Sequence, residues 1–437
     1  MKYYFKTLNY LGCKLRLLDF IEENVKLLTP PGGQVCDLFA GSASVAGRLA
    51  GSFDVTACDI QAYSKVICNA VLNGCEFPPE MLSSFRKRLL TDTRSPLAES
   101  FQPLILMEQR AIAEADPLLL PCFVEHGSLE IFRNEPSDSP ISDIIAAVAE
   151  SLADRQLDNS RSTISRYYGG VYFSYKQAVD IDNIIDAISD IPPGDCRDLF
   201  TAALLSTASD VVGTVGKHFA QPVKARDSRG NVKSVLFSKA RKDKTIEVIP
   251  LYLDWLDRYL ALPRRKGNHT VMQADYASCL ANLPETVTTI YADPPYTRDH
   301  YSRFYHVLET IALHDSPTLS SVTIHGTSHL SNGIYRVDRH QSPFCIKSQA
   351  PDAFDTMFRL AAENGRNILL SYSPFDDSRK THPRVATIGT IMDIAGKYYS
   401  DIATVSAGKF AHSKLNSSPN LLEASDEAEL LIICTAH

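Results

Sequence analysis

Two short apolar runs near the N-terminus, each containing an acidic residue at or close to its end, constrain the fold of this chain. Residues 34–39 (QVCDLF) follow a Pro-Pro-Gly-Gly breaker and precede a small-residue stretch, AGSASVAG. Residues 54–60 (DVTACDI) carry Asp59 next to their end. A buried strand, a small-residue turn, a helix and a second strand are typical of the start of an open parallel α/β sheet.

The pattern changes in the middle of the chain and then returns. From about residue 75 to about residue 267 helical periodicity dominates, at residues 142–152, 179–188 and 198–212. Strand patterns resume at residues 269–275, 287–292, 367–371 and 429–434. We therefore predict one α/β domain, residues 1–74 and 268–437, split by a mainly helical insertion at residues 75–267.

Composition narrows the class of protein. The 44 Lys and Arg against 51 Asp and Glu, a net charge of -7, argue against a protein that is basic throughout. The 10 cysteines are scattered without a CxxC pair, so they predict neither a zinc site nor a redox dithiol. The start of the chain lacks the apolar stretch of a signal peptide, and no run is long enough to span a membrane. We expect reduced cysteines and a cytoplasmic protein.

The tetrapeptide Asp293-Pro294-Pro295-Tyr296, directly after the strand-like run VTTIYA, is the sharpest local motif. Two prolines stiffen the exit from the sheet and leave carbonyls free to accept hydrogen bonds. A strand-end carboxylate, such a carbonyl and an aromatic face together suit a planar group that bears an NH2. The alternative is a Pro-Pro turn without a chemical role.

A second motif is Asp37-Leu-Phe39-Ala40-Gly41-Ser-Ala-Ser, whose small residues allow a ligand close to the backbone at a helix N-terminus. It lacks the second spaced glycine of the dinucleotide fingerprint. Asp59 stands where an acidic residue grips ribose hydroxyls in such sheets. A plain strand-to-helix turn and a helix cap are the corresponding structural alternatives.

In this order, the motifs resemble those of the Dam-like, alpha-group DNA adenine-N6 methyltransferases. The matching stretches are residues 10–14 (YLGCK), 39–41 (FAG), Asp59 and residues 293–296 (DPPY). Residues 273–276 (QADY) resemble the group's Gly-Asp-Phe strand end, with Ala in place of Gly. The resemblance implies a class I methyltransferase fold, a Rossmann-like mixed seven-stranded sheet flanked by helices, with the inserted helical stretch as the target-recognition domain.

The resemblance also implies S-adenosylmethionine as cofactor, without a metal. Lys14 would neutralise its carboxylate, with the backbone around Gly12 and Gly41 against its methionine part, Asp59 on the ribose and Asp275 on the adenine amine. The implied cofactor-binding residues are Tyr10, Gly12, Lys14, Asp37, Phe39, Ala40, Gly41, Asp59, Ile60, Asp275 and Tyr276.

The implied catalytic residues are Asp293, Pro294, Pro295 and Tyr296. Asp293 and the Pro294 carbonyl would accept the two hydrogens of the target amine, and Tyr296 would stack on the base. Catalysis would then consist mainly of alignment and electrostatic stabilisation. Because an adenine amine cannot be reached inside a duplex, the base would be flipped out.

A basic segment supplies the expected partner, double-stranded DNA. Residues 217–244 contain nine Lys and Arg against two Asp, a balance of +7, which leaves -14 for the rest of the chain. A solvated loop is the alternative. We predict DNA contacts by Lys217, His218, Lys224, Arg226, Arg229, Lys233, Arg241, Lys242 and, after the DPPY motif, His300, Tyr301 and Arg303. The aromatic segment at residues 167–175 could pack the insertion against the catalytic domain or touch DNA, and core packing is favoured.

The sequence therefore predicts a site-specific adenine-N6 methyltransferase of duplex DNA. Such enzymes commonly serve restriction-modification or other bacterial defence systems, with a cognate nuclease as a further partner. Two alternatives stay open: transfer to N4 of cytosine or to adenine in RNA by the same pocket, and a DNA-binding protein with an inactive methyltransferase fold. Asp rather than Ser before Pro-Pro-Tyr favours adenine, and the long basic insertion favours duplex DNA.

Overall fold

The structure is a computed structural model of the 437-residue chain. It describes residues 5–10, 12, 14–91, 95–295, 297–298, 300–373, 384–407 and 429–436. The chain divides into two compact units. The sheet unit falls within residues 1–74, 263–302 and 340–437, and the helical unit within residues 75–262 and 303–339.

The sheet unit is built on seven strands. In chain order, all strands of the described residues are β1 (Gln34–Asp37), β2 (Val55–Asp59), β3 (Thr270–Gln273), β4 (Val287–Ala292), β5 (Ser321–Ile324), β6 (Thr327–Leu330), β7 (Asn367–Tyr372), β8 (Asp401–Ser406) and β9 (Leu430–Thr435). The large sheet has the order β3-β2-β1-β4-β7-β9-β8, while β5 and β6 form a separate antiparallel hairpin in the helical unit. Neighbours from β3 to β7 are parallel, and β9 is antiparallel to both β7 and β8. The predicted mixed seven-stranded sheet is confirmed.

The described residues also form α-helices in both units. They are α1 (Leu18–Leu28), α2 (Ser44–Leu49), α3 (Ala62–Leu72), α4 (Pro79–Thr91), α5 (Pro96–Glu114), α6 (Leu119–His126), α7 (Leu129–Asn134), α8 (Ser142–Asp154), α9 (Thr163–Tyr168), α10 (Tyr175–Ser189), α11 (Asp195–Val211), α12 (Ser234–Asp243), α13 (Val248–Leu260), α14 (Tyr276–Asn282), α15 (Tyr301–Phe304), α16 (His306–Leu313), α17 (Ala350–Glu363) and α18 (Ile388–Ala395).

Central strands of the sheet are buried along most of their length because both faces are covered. In β1, Val35 and Cys36 are fully buried, and in β4 Ile290 is fully buried. Helix α17 places Phe354 and Phe358 in the same core as Ile290. A continuous apolar run is the expected signal of a parallel strand buried on two faces, which is why these strands were recognisable in the sequence.

The helical unit has its own cores. Phe101, Phe123 and Tyr175 form part of one of them. Within the aromatic segment at residues 167–175, Tyr168 and Tyr172 are fully buried, which agrees with packing in a core. The segment therefore stabilises the unit rather than presenting rings to solvent.

Residues 303–339 differ from the prediction, which placed them with the sheet and ended the insertion at residue 267 rather than residue 262. The Phe219 N–H donates to the Phe304 carbonyl at 2.8 Å. The His306 ring packs edge-on against Tyr168, with ring centres 5.7 Å apart. Because the backbone and the aromatic side chains of this segment find partners in the helical unit, it folds there although it follows the DPPY motif closely in sequence.

Candidate active site

A cavity of about 330 Å³ lies at the carboxyl edge of the sheet, within the sheet unit. This edge is where open α/β sheets bind ligands, since the loops that follow the parallel strands converge there. The predicted cofactor and catalytic residues that line it are Tyr10, Gly12, Lys14, Phe39, Asp59, Ile60, Asp275, Tyr276, Asp293, Pro294 and Pro295. Tyr296 lies outside the described residues.

Asp59, the last residue of β2, is held rigidly at one side of the cavity. One carboxylate oxygen accepts the Gly41 N–H and the other accepts the Gln61 N–H, both at 2.9 Å. Burial raises the pKa of Asp59, and these two backbone donors oppose the rise. A carboxylate offers about four lone-pair sites, more than these donors use, so Asp59 can still accept a hydroxyl hydrogen from a ligand.

The small-residue loop after β1 shapes the site from behind rather than as its wall. Gly41 has a φ of 49°, and a Cβ there would lie 2.8 Å from the Tyr10 hydroxyl. Glycine therefore lets Tyr10 pack onto the loop. Ala40 and Gly41 were predicted to bind cofactor directly, but the structure does not place them among the cavity-lining residues.

Asp37 requires the same correction. It is 1% exposed beneath the loop, where one of its oxygens accepts the Ala46 N–H at 2.9 Å. The Asp37 carboxyl points into the interior and does not line the cavity, so the structure does not support the predicted cofactor contact. Burial, together with the nearby charge of Asp293, raises the pKa of Asp37 to about 8.

Asp275 and Tyr276 lie after β3 on the same side of the cavity as Asp59. Asp275 is the N-cap of α14, and its Oδ1 accepts the Ala277 and Ser278 N–H groups at 3.0 Å. Partial burial would raise the pKa of Asp275, but hydrogen bonds from the Ser278 side chain and from backbone N–H groups outweigh it and lower the pKa. The Tyr276 ring is stacked beside Phe39, with centres 6.3 Å apart. Carboxylate and rings together suit a planar, amine-bearing ligand.

Asp293 stands directly after β4, and its side chain is 21% exposed. Lys14 approaches Asp293 Oδ1 at 3.2 Å and Glu429 Oε1 at 2.6 Å. Lys14 was predicted to neutralise the cofactor's carboxylate, but its ammonium is engaged by two carboxylates of the protein. Burial raises the pKa of Asp293, while Lys14 lowers it and Glu429 raises it further. Glu429 itself was not predicted from the sequence.

Part of the cavity wall comes from a loop that carried no recognisable motif. His340, Ser342, Pro343 and Cys345 line the cavity. Burial lowers the pKa of His340, and the charges of Asp59 and Asp275 oppose this effect. A single histidine in an irregular segment gives no signal in a sequence, so only the folded chain reveals that it faces two of the predicted carboxylates.

Two residues of the basic segment have their side-chain partners inside the helical unit. The Lys217 ammonium donates to the Asp210 and Val212 carbonyls and to Asp243 Oδ1 at 2.8, 3.0 and 2.9 Å. His218 is 7% exposed and packs on Phe304, with ring centres 4.7 Å apart. The prediction that these two contact DNA is therefore corrected, because internal acceptors and burial already occupy them.

Other cations of the segment differ in their surroundings. Lys224, Arg229 and Lys242 are exposed, and Lys233 is half-buried. Arg226 pairs with Glu125 at 3.2 Å, and Arg241 donates to the Ala113 carbonyl at 3.2 Å. For this group DNA contact stays a prediction.

The residues predicted to touch DNA after the DPPY motif separate into different environments. Tyr301 lines the cavity, and its ring centre lies 5.9 Å from that of Tyr10. His300 is half-buried in the sheet unit. Arg303 is exposed in the helical unit, over the Tyr335 ring at 5.8 Å. Tyr301 is thus a wall residue of the cavity, which the sequence did not distinguish from its neighbours.

Two other kinds of feature, a metal cluster and a membrane-spanning helix, are absent from the described residues. No group of three or more His, Cys, Asp or Glu side chains among them is arranged to hold a metal ion. No helix in the described part of the chain is long and apolar enough to cross a membrane.

Comparison with known proteins identifies relatives of this chain. A model of the D12 class N6 adenine-specific DNA methyltransferase family matches residues 10–121. The chain is 25% identical over 432 residues to the Modification methylase LlaI of Lactococcus lactis subsp. lactis. This match covers 97% of this chain and 54% of the relative. The resemblance drawn from the motifs is confirmed.

Two further relatives match over shorter stretches. The Type II methyltransferase M.FokI of Planomicrobium okeanokoites is 34% identical over 109 residues, 24% of this chain and 15% of the relative. The Type II methyltransferase M.NlaIII of Neisseria lactamica is 32% identical over 105 residues, 24% of this chain and 27% of the relative. The chain therefore spans about half the length of LlaI, and the two shorter matches cover smaller fractions of their relatives.

Proposed function

We propose that this chain is an S-adenosylmethionine-dependent methyltransferase that modifies the N6 amine of adenine at specific sites in duplex DNA. The observation that carries the proposal is that Asp293, Pro294 and Pro295 open into the same cavity as Asp59 and Asp275. A ligand held by the strand-end carboxylates would therefore lie next to a group that accepts hydrogens from an amine. The family match and the modification methylase relatives support the same activity.

The cavity residues fit the cofactor by their chemistry. Asp59 offers carboxylate lone pairs to ribose hydroxyls, and Asp275 offers a negative charge to an adenine amine. Phe39, Ile60 and Tyr276 supply apolar and aromatic surface for a planar ring. When bound, S-adenosylmethionine supplies an electrophilic methyl group, so no nucleophilic side chain is required of the protein.

The protein's own contribution is to orient the amine. Asp293 accepts one N6 hydrogen and the Pro294 carbonyl accepts the other, which turns the nitrogen lone pair toward the methyl group. As the nitrogen becomes positive, the Asp293 carboxylate stabilises the charge that develops. Tyr296, which follows Pro295 in the sequence, would stack on the base. Because these groups are recessed at a cavity edge, adenine must leave the duplex to reach them.

The helical unit is the proposed target-recognition domain. Its exposed cations Lys224, Arg229 and Lys242, together with Lys233, would contact phosphates. Because the relatives are named as modification and type II methyltransferases, we further propose a role in a restriction-modification system, with a cognate nuclease recognising the same site. With cofactor and duplex DNA as its substrates, the proposed enzyme works in the cytoplasm.

The test is methyl transfer from radiolabelled S-adenosylmethionine to mixed-sequence duplex DNA, followed by mass spectrometry of the nucleosides. We expect N6-methyladenine. Asp293→Ala should lower the rate at least about 100-fold, a loss typical of removing a group that stabilises the developing charge, while cofactor binding by calorimetry persists.

Other products identify the alternatives. N4-methylcytosine, or transfer only to RNA, would contradict the proposed substrate while keeping the cavity chemistry. Cofactor binding without transfer to any nucleic acid would contradict the enzyme itself. Full activity of Asp293→Ala would refute the assigned role of that carboxylate.

A further inference from the structure

We infer that Glu429 is a positioning residue for Asp293, acting through the ammonium of Lys14. The inference rests on the proposed function, because it concerns the carboxylate that would accept the amine hydrogen. It assigns a role to a residue that belongs to none of the sequence motifs.

Sheet topology explains how Glu429 reaches the site. It directly precedes β9, which runs antiparallel to β7 with Leu430 beside Tyr372. Because β9 is reversed, its start lies at the edge where β4 and β7 end. The residue before a reversed strand is therefore delivered to the same edge as Asp293, the residue that follows β4.

The contacts form a chain of buried charges. Lys14 is 6% exposed and Glu429 is 0% exposed. Lys14 Nζ lies 2.6 Å from Glu429 Oε1 and 3.2 Å from Asp293 Oδ1. The Ser371 hydroxyl, at the end of β7, donates to the same Oε1 at 2.5 Å. Ser371 and Lys14 thus fix Glu429, and Glu429 holds Lys14 nearer to itself than to Asp293.

This arrangement has a consequence for the amine acceptor. Lys14 approaches Asp293 through Oδ1, so in this proposal a ligand in the cavity uses Oδ2. Since the ammonium is shared, it neutralises Asp293 only in part, and the carboxylate keeps its strength as an acceptor. Without Glu429, the ammonium would lose its shorter carboxylate contact and could approach Asp293 more closely, which would weaken that acceptor and loosen its position.

A purely structural ion pair is the competing explanation, since a charge buried without a partner would be costly. The pH profile separates the two. Among the described residues, the charged and titratable groups that face Asp293 are Lys14, Glu429, Asp37 and Tyr291. Burial raises the pKa of Asp293, Lys14 lowers it and Glu429 raises it. The acid limb of the pH–rate profile is the fall in rate at low pH as Asp293 becomes protonated. Removing the Glu429 charge therefore shifts the acid limb to lower pH, whereas removing the Lys14 charge shifts it to higher pH.

The experiment measures kcat and KM against pH for the full chain and for Glu429→Gln, Glu429→Asp and Lys14→Met. We expect Glu429→Gln to lower kcat about tenfold or more, with little change in KM for cofactor, and to move the acid limb down by about one pH unit. Lys14→Met should move the limb up. Glu429→Asp, which keeps the charge, should restore part of the wild-type limb.

Glu108→Gln is the matched control. Glu108 pairs with buried Lys244 at 2.7 Å in the helical unit, so it tests the loss of a similar buried pair that does not reach Asp293. It should change stability but neither kcat nor the limb. If Glu429→Gln does not fold, the double variant Lys14→Met/Glu429→Gln takes its place, because it leaves neither member of this ion pair charged. Its acid limb should lie at lower pH than that of Lys14→Met, since the Glu429 charge that raises the pKa of Asp293 is also removed.

The outcomes are distinct. A wild-type chain that transfers no methyl group to any nucleic acid overturns the proposed function and this inference with it. A wild type that is active, with Glu429→Gln showing the wild-type kcat and acid limb, overturns this inference alone. An equal change in Glu108→Gln and Glu429→Gln would show that the effect is one of folding, which also refutes it.

Discussion

At the scale of a single residue, Asp37 lies buried at the end of β1, where ionising its carboxyl costs free energy. One oxygen accepts the Ala46 N–H, whereas Oδ1 has no hydrogen-bond partner among the described residues. Ionisation would place a second negative charge near Asp293 at a carboxyl that is only 1% exposed. The pKa of Asp37 is accordingly raised, by burial and then by Asp293, to about 8.

The stability of the protein should therefore depend on pH through Asp37. Between pH 4 and 8 the folded protein holds a proton that the unfolded chain releases, because the pKa rises from 3.8 to about 8 on folding. This contribution is fully present below pH 4 and is lost as pH rises toward 8. Asp37→Asn, whose amide oxygen can still accept the Ala46 N–H, should gain on wild type by up to ~1.4 kcal/mol per pH unit across this window, measured by urea unfolding.

The exposed carboxyl of Asp154 in α8 provides the control. Asp154→Asn should follow the wild-type profile. An Asp37→Asn curve parallel to wild type from pH 4 to 8 would mean that Asp37 is ionised in the folded protein.

What the sequence could reveal about single residues depended on how local their partners are. Asp59 and Asp293 were predicted because each ends a strand, and strand ends converge in an open sheet. The link between Lys14 and Glu429 was not predictable, since the two are 415 residues apart and the second precedes the reversed strand. The true partners of Lys14 follow from topology, which no short motif contains.

At the scale of elements, the strands of the structure differ in how well they could be predicted from the sequence. β4 was predicted with its observed limits because its residues are mostly apolar or β-branched and buried, as expected for a strand covered on both faces. β8 was missed because it is an edge strand whose side chains are exposed or half-buried, so it lacks an apolar run. The β5–β6 hairpin was missed for the same reason, since β5 is exposed along its whole length.

Asp275 both caps helix α14 and lines the cavity, and substitutions can separate the two roles. As N-cap of α14 it accepts two backbone N–H groups. Asp275→Ala should cost about 1 kcal/mol of stability, while Asp275→Asn keeps a capping oxygen and should stay within a few tenths of wild type. The amide NH2 of Asn would, however, face the ligand amine. We expect weaker cofactor binding in Asp275→Asn by titration calorimetry.

Ser95, the N-cap of α5, accepts the Ala98 N–H at 3.1 Å and is the comparison for capping alone. Ser95→Ala should lose a similar stability without weakening cofactor binding. If Asp275→Asn binds cofactor as tightly as wild type, Asp275 is a cap and nothing more.

At the scale of the whole molecule, the net charge of -7 conceals an uneven distribution, yet the folded chain reduces the contrast. Of the basic segment, Lys217 and Lys239 both contact Asp243, and Lys244 is buried against Glu108. These three cations stabilise the helical unit. The segment's charge of +7 is therefore an upper limit on what DNA can meet, and the exposed members carry the interaction.

The salt dependence of DNA binding tests this division. Each phosphate contact contributes about 0.9 to the slope of log K against log salt, so the triple variant Lys224→Gln, Arg229→Gln, Lys242→Gln should lower the slope by up to about 2.7 and weaken binding at low salt. The control replaces Lys87, Arg110 and Arg161, exposed cations of the same unit outside the segment, by Gln. It changes the net charge equally, so any general electrostatic effect appears in both. An equal slope in the two variants would refute a localised DNA interface, whereas a smaller slope in the first alone would locate phosphate binding on exposed cations of the basic segment.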